Sequence, residues 1–221
     1  MAVCLLPMSA MGAGYQFDKP GVYTIDESNY SGDRFNVNSN GVTLIFNNID
    51  IQSSKEVIVD ASFVNNLEVK LNNSSLVSKK DSGDQQANAI SCLGLSLTGS
   101  GTLQAGHGEQ GASAINSRNG HDVTINGRFT LIGGKADEMS VPNAIYCGGN
   151  LTLNGNITAI GGKQNDNPVP AFSRYVQQII VESESGAGVN VWVGDSEDNP
   201  QLLEDSPFPD GYWFEIIPVR D

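Results

Sequence analysis

Basic residues are scarce in this chain. Lys and Arg number 12 against 25 Asp and Glu, for a net charge of −13 in 221 residues. Nucleic acid demands cations to neutralise its phosphates, and an anionic membrane surface attracts polybasic segments. The balance argues against both as partners. No apolar run reaches the ~20 residues that a membrane-spanning helix takes, so membrane insertion is not expected. There are only three cysteines, at positions 4, 92 and 147, and two histidines. No Gly-x-Ser-x-Gly nucleophile motif occurs, and neither does EF-hand spacing or a glycine-aspartate nonapeptide repeat. Apolar residues at three- and four-residue spacing over long runs are absent as well, which excludes helical repeats.

What the chain has instead is alternation. Leu44 and Phe46, Val69 and Leu71, Leu95 and Leu97, Val123 and Ile125, and Leu151 and Leu153 are apolar pairs separated by one residue. Period two in short runs argues for strands. Each pair leads into a polar corner: Asn47-Asn48, Asn72-Asn73, Thr98-Gly99, Asn126-Gly127 and Asn154-Gly155, spaced by 25, 26, 28 and 28 residues. A period of this size marks a solenoid, in which no single coil can bury its own core. The second corner position is always Asn or Gly, the residues that tolerate positive φ. The first position, stacked at about 4.8 Å per strand, could hydrogen-bond along the stack as an amide ladder. Leucine-rich repeats share the period but need a Leu-x-x-Leu-x-Leu framework, which is missing. An all-β fold, a parallel β-helix, fits best.

The coils occupy nearly the whole chain, which predicts a single domain from residue 14 to 221. Residues 1–13 resemble the back half of a secretory signal peptide: small and apolar, ending in Ala10-Met11-Gly12-Ala13, but without a basic start. The expectation is an exported protein, with a short apolar N-terminal cap as the alternative. Cys92 and Cys147 occupy equivalent coil positions two coils apart, roughly 10 Å, too far for a disulfide. They are expected to be free, buried thiols. Three loops, 106–112, 135–142 and 163–170, leave the coil at the same point. Ala171 to Val181 keeps the coil pattern, with Phe172 replacing the Ile and Arg174 replacing an inward Cys or Ser. Residues 194–221 are assigned as a C-terminal β cap, because an open strand edge invites aggregation. Trp192, Tyr212, Trp213 and Phe214 are expected in its core.

The order Gly-Val-Tyr-Thr-Ile at position 21, Val-Thr-Leu-Ile-Phe-Asn-Asn at 42, and Ala-Ile coils at 89, 114 and 144 resembles the clostridial carbohydrate-binding β-helix domain family. The resemblance spans Gly21 to about Gly162. It implies a right-handed parallel β-helix, bound calcium, binding rather than catalysis, and a secreted or surface module for cellulose or acidic polysaccharides such as polygalacturonate. The chain departs from that family where its coils often open on Asp-Gly-Ile. Here the openings are Asn88-Ala89-Ile90, Ser113-Ala114-Ile115 and Asn143-Ala144-Ile145.

Three chemistries are open. Calcium takes six to eight oxygens, several from carboxylates. A 28-residue shift pairs Asp137 with Asn165 and Glu138 with Asp166, so these four are the candidate ligands, with Asp81, Asp84 and the group Asp195, Glu197 and Asp198 as further acidic loops. A saccharide surface could use the outward column Ser91, Asn116, Tyr146 and Ser173, with Lys135, Lys163 and Arg174 as cations. Amides, a Tyr face and spaced cations suit sugar rings and uronate carboxylates, and Asn116, Tyr146, Lys135, Lys163 and Arg174 are the candidate ligand-binding residues. A pectate-lyase-like site would need a basic residue for proton abstraction, from Lys135, Lys163, Arg118 or Arg174, but no paired carboxylates show a glycosidase setting. His107 and His121 do not align, so a zinc site is not expected, and His107 reads as a loop residue. The reading is a secreted or cell-surface polysaccharide-binding module, with calcium as a candidate cofactor and no catalytic residue. A polysaccharide lyase and a ligand-free scaffold are the alternatives.

Overall fold

The computed structural model describes residues 14–29, 32–81, 85–137, 140–182, 189–194, 201–202, 211 and 213–218. The N-terminal segment with Cys4, and Asp84, Glu138, Asp195, Glu197, Asp198 and Tyr212, lie outside the described residues. Alternating side chains point to opposite faces of a strand, so a strand that repeats once per coil can line a continuous interior. Two parallel sheets form in this way. The first stacks Tyr15–Phe17, Phe35–Val37, Val57–Ala61, Asn88–Cys92, Ile115–Ser117 and Ile145–Cys147. The second stacks Gly21–Ile25, Val42–Asn47, Leu67–Ser78, Leu95–Gln104, Val123–Ile132 and Asn150–Ile160. Asp50–Ser53 lies beside the later half of Leu67–Ser78. The chain is a parallel β-solenoid, and the described residues contain no helix long and apolar enough to cross a membrane.

One apolar cluster fills the interior from Phe17 to Ile216. Like residues stack in register: Ile90, Ile115 and Ile145 in the first sheet, and Leu97, Ile125 and Leu153 in the second. A fully buried Ile or Leu contributes about 1.5–3 kcal/mol, but only when the next rung covers it, so the rungs stabilise one another. At the N-terminal end the filling is aromatic, with Phe35 edge-on to Phe46 at 5.2 Å and Phe17 edge-on to Tyr23 at 4.8 Å.

The corners behave as expected in conformation: Asn48, Asn73, Gly99, Gly127 and Gly155 all have positive φ. A Cβ at Gly127 would lie 2.0 Å from the Gly99 carbonyl oxygen, so the last three corners need glycine for space as well as for φ. The register departs from expectation at one step. Thr98 pairs with Lys70 and Gly99 with Leu71, and a bulge at Asn72/Ser74 leaves the Asn73 corner facing Ser100. The amide ladder therefore forms at Asn72 Nδ2 to Asn47 Oδ1, whereas Asn154 Oδ1 is buried without a hydrogen-bond partner.

The C-terminal segment covers the last rung. Gln178–Glu182 adds in parallel to the first half of Asn150–Ile160, and Trp213–Pro218 adds antiparallel to its second half. Phe214 and Ile216 enter the core, Phe214 at 4.6 Å from the Phe172 ring. Val189–Gly194 pairs antiparallel with Trp213–Pro218, and Gln201–Leu202 with Val189–Gly194, which extends this edge. Cys92 and Cys147 are free and buried, as their spacing predicts.

Candidate functional site

On a flat sheet the outward residues of the first sheet would be exposed. Here Ser91, Asn116 and Ser173 are only 4%, 5% and 6% exposed. The loops between the sheets rise on either side and turn the face into a groove. Its floor is the register column Asn36, Asp60, Ser91, Asn116 and Tyr146. Phe172 bridges Ile145, which places Ser173 one rung beyond Tyr146. One stretch of the groove is lined by Arg34, Glu56, Asp60, Phe63 and Ser91, and the next by Tyr146, Ser173, Arg174 and Tyr175. Both stretches include Asn116, Arg118 and Asn119, which makes them continuous. The column from Asp60 to Ser173 spans four rung steps, about 19 Å at strand spacing.

The walls are held by side chain to backbone bonds at the coil openings. Asn88 Oδ1 accepts from the Ser113 N–H at 2.9 Å, and Asn143 Nδ2 donates to the Pro170 carbonyl at 2.6 Å. The Asn/Ser column that replaces the acidic openings thus carries a structural duty. Three arginines stand along the groove in different settings. Arg34 is tied to Asp60 at 2.8 Å. Arg118 donates to Asn116 Oδ1 at 3.3 Å. Arg174 donates to Tyr175 Oη at 3.0 Å and lies 5.1 Å from that ring's centre. The hydrogen bond to Tyr175 and its charge hold the Arg174 guanidinium above its ordinary pKa, so it remains a cation. Among the described residues Arg118 and Arg174 pair with no carboxylate. The Tyr146 and Tyr175 rings lie 5.7 Å apart and tilted.

Of the expected ligand-binding residues, Asn116, Tyr146 and Arg174 meet in this groove. Lys135 and Lys163 do not. They pair with each other in a small third sheet, and line a separate hollow with Lys79, Lys80 and His107. The cause is the Gly-Gly step before each lysine, which turns the chain onto another face. A Cβ at Gly134 would lie 1.8 Å from the Gly106 oxygen, so only glycine passes. Arg174 occupies the register position of inward Cys147, yet the chain turns there and exposes it. Phe63 and Tyr175 were missed as site residues. Phe63 carried a signal: it is out of phase with inward Val64 in an otherwise polar turn.

Lys163 and Gln164 stack on Lys135 and Ala136 at the expected 28-residue shift, and the Asn165 N–H donates to the Ala136 carbonyl at 3.0 Å, while Glu138, expected beside Asp166, lies outside the described residues. Lys135 bridges His107, so Asp137 sits beside Glu109 of the preceding coil, and its N–H donates to Glu109 Oε1 at 2.8 Å. His107 Nε2 lies 3.6 Å from both Glu109 Oε1 and Asp137 Oδ1. Its Nδ1 is 3.0 Å from the Asp81 carbonyl, which can only accept, so Nδ1 carries the proton. His107 is therefore part of a cluster rather than a solitary loop residue. Among the described residues, the group of three metal-ligating side chains within reach of one another is His107, Glu109 and Asp137. Asp166 is outside it: with Asn165 it makes the positive-φ turn between Lys163–Gln164 and Asn167–Pro168. Two carboxylates and an imidazole fall short of the six to eight oxygens calcium takes, and imidazole suits softer cations.

Burial pushes the Cys92 thiol up to about 12 and raises Cys147 as well, so neither supplies a thiolate near neutrality. Compared with family models, curated proteins and solved structures, the chain matches none.

Proposed function

We propose that this chain is an exported or cell-surface module that captures a linear polysaccharide, of the cellulose or acidic pectin kind, in the groove over the first sheet. The observation that carries the reading is the groove itself: a continuous polar trough with a Tyr pair at one end and, in Arg118 and Arg174, guanidinium groups that pair with no carboxylate among the described residues. Sugar rings offer apolar faces for Tyr146 and Tyr175 and hydroxyl edges for Ser91, Asn116 and Ser173. Arg118 and Arg174 suit a uronate carboxylate, which guanidinium binds as a fork. The sequence resemblance to carbohydrate-binding β-helices points the same way. Of the four candidate bases for a lyase, Arg118 and Arg174 line the groove, whereas Lys135 and Lys163 lie in another hollow.

The test is retention of the purified chain on cellulose and on polygalacturonate, each with calcium and with chelator, while the supernatant is assayed for unsaturated sugars by ultraviolet absorbance. Retention without product is expected. Product growing with time would replace this reading with a lyase, and absence of retention on every glycan would replace it with a scaffold.

A further inference from the structure

A solitary exposed apolar residue is ordinary. The distribution here is not solitary. Phe63, Val141, Tyr175 and Leu202 are the exposed large hydrophobics among the described residues, and three of the four line the groove. Phe63 is the extreme case at 92% exposed. It is not needed by the core, because the adjacent Val64 fills that role at 2% exposed. Phe63 lies two residues past the end of Val57–Ala61, the strand that supplies Asp60. Val141 and Tyr175 stand near the Tyr146 and Ser173 rungs. The trough thus has an apolar platform at each end and a polar floor between them.

Resting on the polysaccharide reading above, we infer that Phe63 is a second stacking platform, and that the groove takes a stretch of about four to five sugar rings between Phe63 and Tyr175, set by four rung steps of about 4.8 Å. The rung spacing is close to the length of one ring in an extended glycan, so each rung presents its polar residue to one ring. The ends differ in charge. At the Phe63 end Arg34 is neutralised by Asp60, whereas Arg174 at the other end, and Arg118 between them, pair with no carboxylate among the described residues.

Titration calorimetry of the full chain with cello-oligosaccharides and oligogalacturonates of two to eight units tests this. Affinity is expected to rise with length up to about five rings and then level off. Phe63→Ala is expected to weaken binding of the longer oligomers by about two- to ten-fold, the range an aromatic contact is worth, and to leave dimers and trimers held at the tyrosine end unaffected. Phe63→Tyr should restore the long-oligomer affinity, and Leu202→Ala, outside the groove, should match the unaltered chain. Because Phe63 lies in solvent, its replacement does not threaten the fold. If the chain binds these glycans but Phe63→Ala changes nothing, or weakens all lengths equally, or affinity levels off at two or three rings, the inference is overturned while the polysaccharide reading stands. If the unaltered chain binds no oligomer and no polymer, the polysaccharide reading fails and the inference with it.

Discussion

Ser117 stands between Cys92 and Cys147 in an inward column of the first sheet, one rung from each. Its hydroxyl is buried and has no hydrogen-bond partner. Leaving such a group unsatisfied costs about 1–3 kcal/mol. Ser117→Ala removes the hydroxyl and leaves a void of about one atom, which at about 24 cal/mol per Å³ costs a few tenths of a kcal/mol. The backbone bonds of Ile115–Ser117 to both neighbouring strands are untouched. The substitution should therefore stabilise the chain by about 1 kcal/mol or more. For 150–250 residues each kcal/mol moves Tm by about 2–4 °C, so a rise of at least that size is expected in a thermal melt followed by circular dichroism. The urea midpoint should rise with an unchanged slope. An unchanged or lowered Tm would refute the reasoning, because it would mean that the hydroxyl is satisfied or that the column packs around it.

Three further outcomes follow from the same geometry. Gly134→Ala forces a Cβ to 1.8 Å from the Gly106 oxygen; the rungs must separate, at a cost of about 3 kcal/mol or more, and a melt within a degree of the parent would contradict the close approach. Cys92 has its pKa raised in the folded state to about 12 by burial, so its contribution is complete below the unfolded value of about 8.5 and is lost as pH rises toward 12; stability should fall above about pH 9, and Cys92 and Cys147, both buried, should resist alkylation at pH 8 yet react in denaturant. Arg118→Gln with Arg174→Gln should weaken retention on polygalacturonate and flatten its salt dependence, with cellulose retention little changed, whereas equal loss on both would remove the guanidinium groups from uronate recognition.

The interior of this protein was legible because a solenoid repeats its constraints. Leu97, Ile125 and Leu153 recur at 28 residues and stack in that register. The corner glycines were readable for the same reason, since positive φ and backbone contact select Gly at 99, 127 and 155. The Thr98 step misread because Asn72-Asn73 and Thr98-Gly99 look equivalent in composition, while the bulge is settled by packing: Leu71 and Leu76 must both face inward around the inserted residue. A polar-to-polar match contains no information about which residue the core needs.

The site was legible only in fragments, and the physical reason is the difference between period and direction. Period decides which residues share a column, and Asn116 and Tyr146 were correctly placed together. It does not decide whether that column is a ridge or a trough, because burial of an outward residue depends on the loops beside it. Those loops vary in sequence from coil to coil more than the strands do. Their folds depend on single contacts, such as Asn143 to the Pro170 carbonyl. The same holds for the lysines. Lys135 and Lys163 align at 28 residues and do stack, yet alignment cannot tell that two glycines have already turned the chain to another face. The pairing of Asp137 with Glu109 follows the same 28-residue shift that sets Lys135 on His107, but the shift does not tell that the His107, Glu109 and Asp137 side chains turn toward one another. In a solenoid, then, columns can be read from sequence with some security, while the neighbours of a column across a corner cannot. A binding site that joins a strand column to its flanking turns, as Tyr146 joins Tyr175 and Asp60 joins Phe63, will always be half visible before the fold is known.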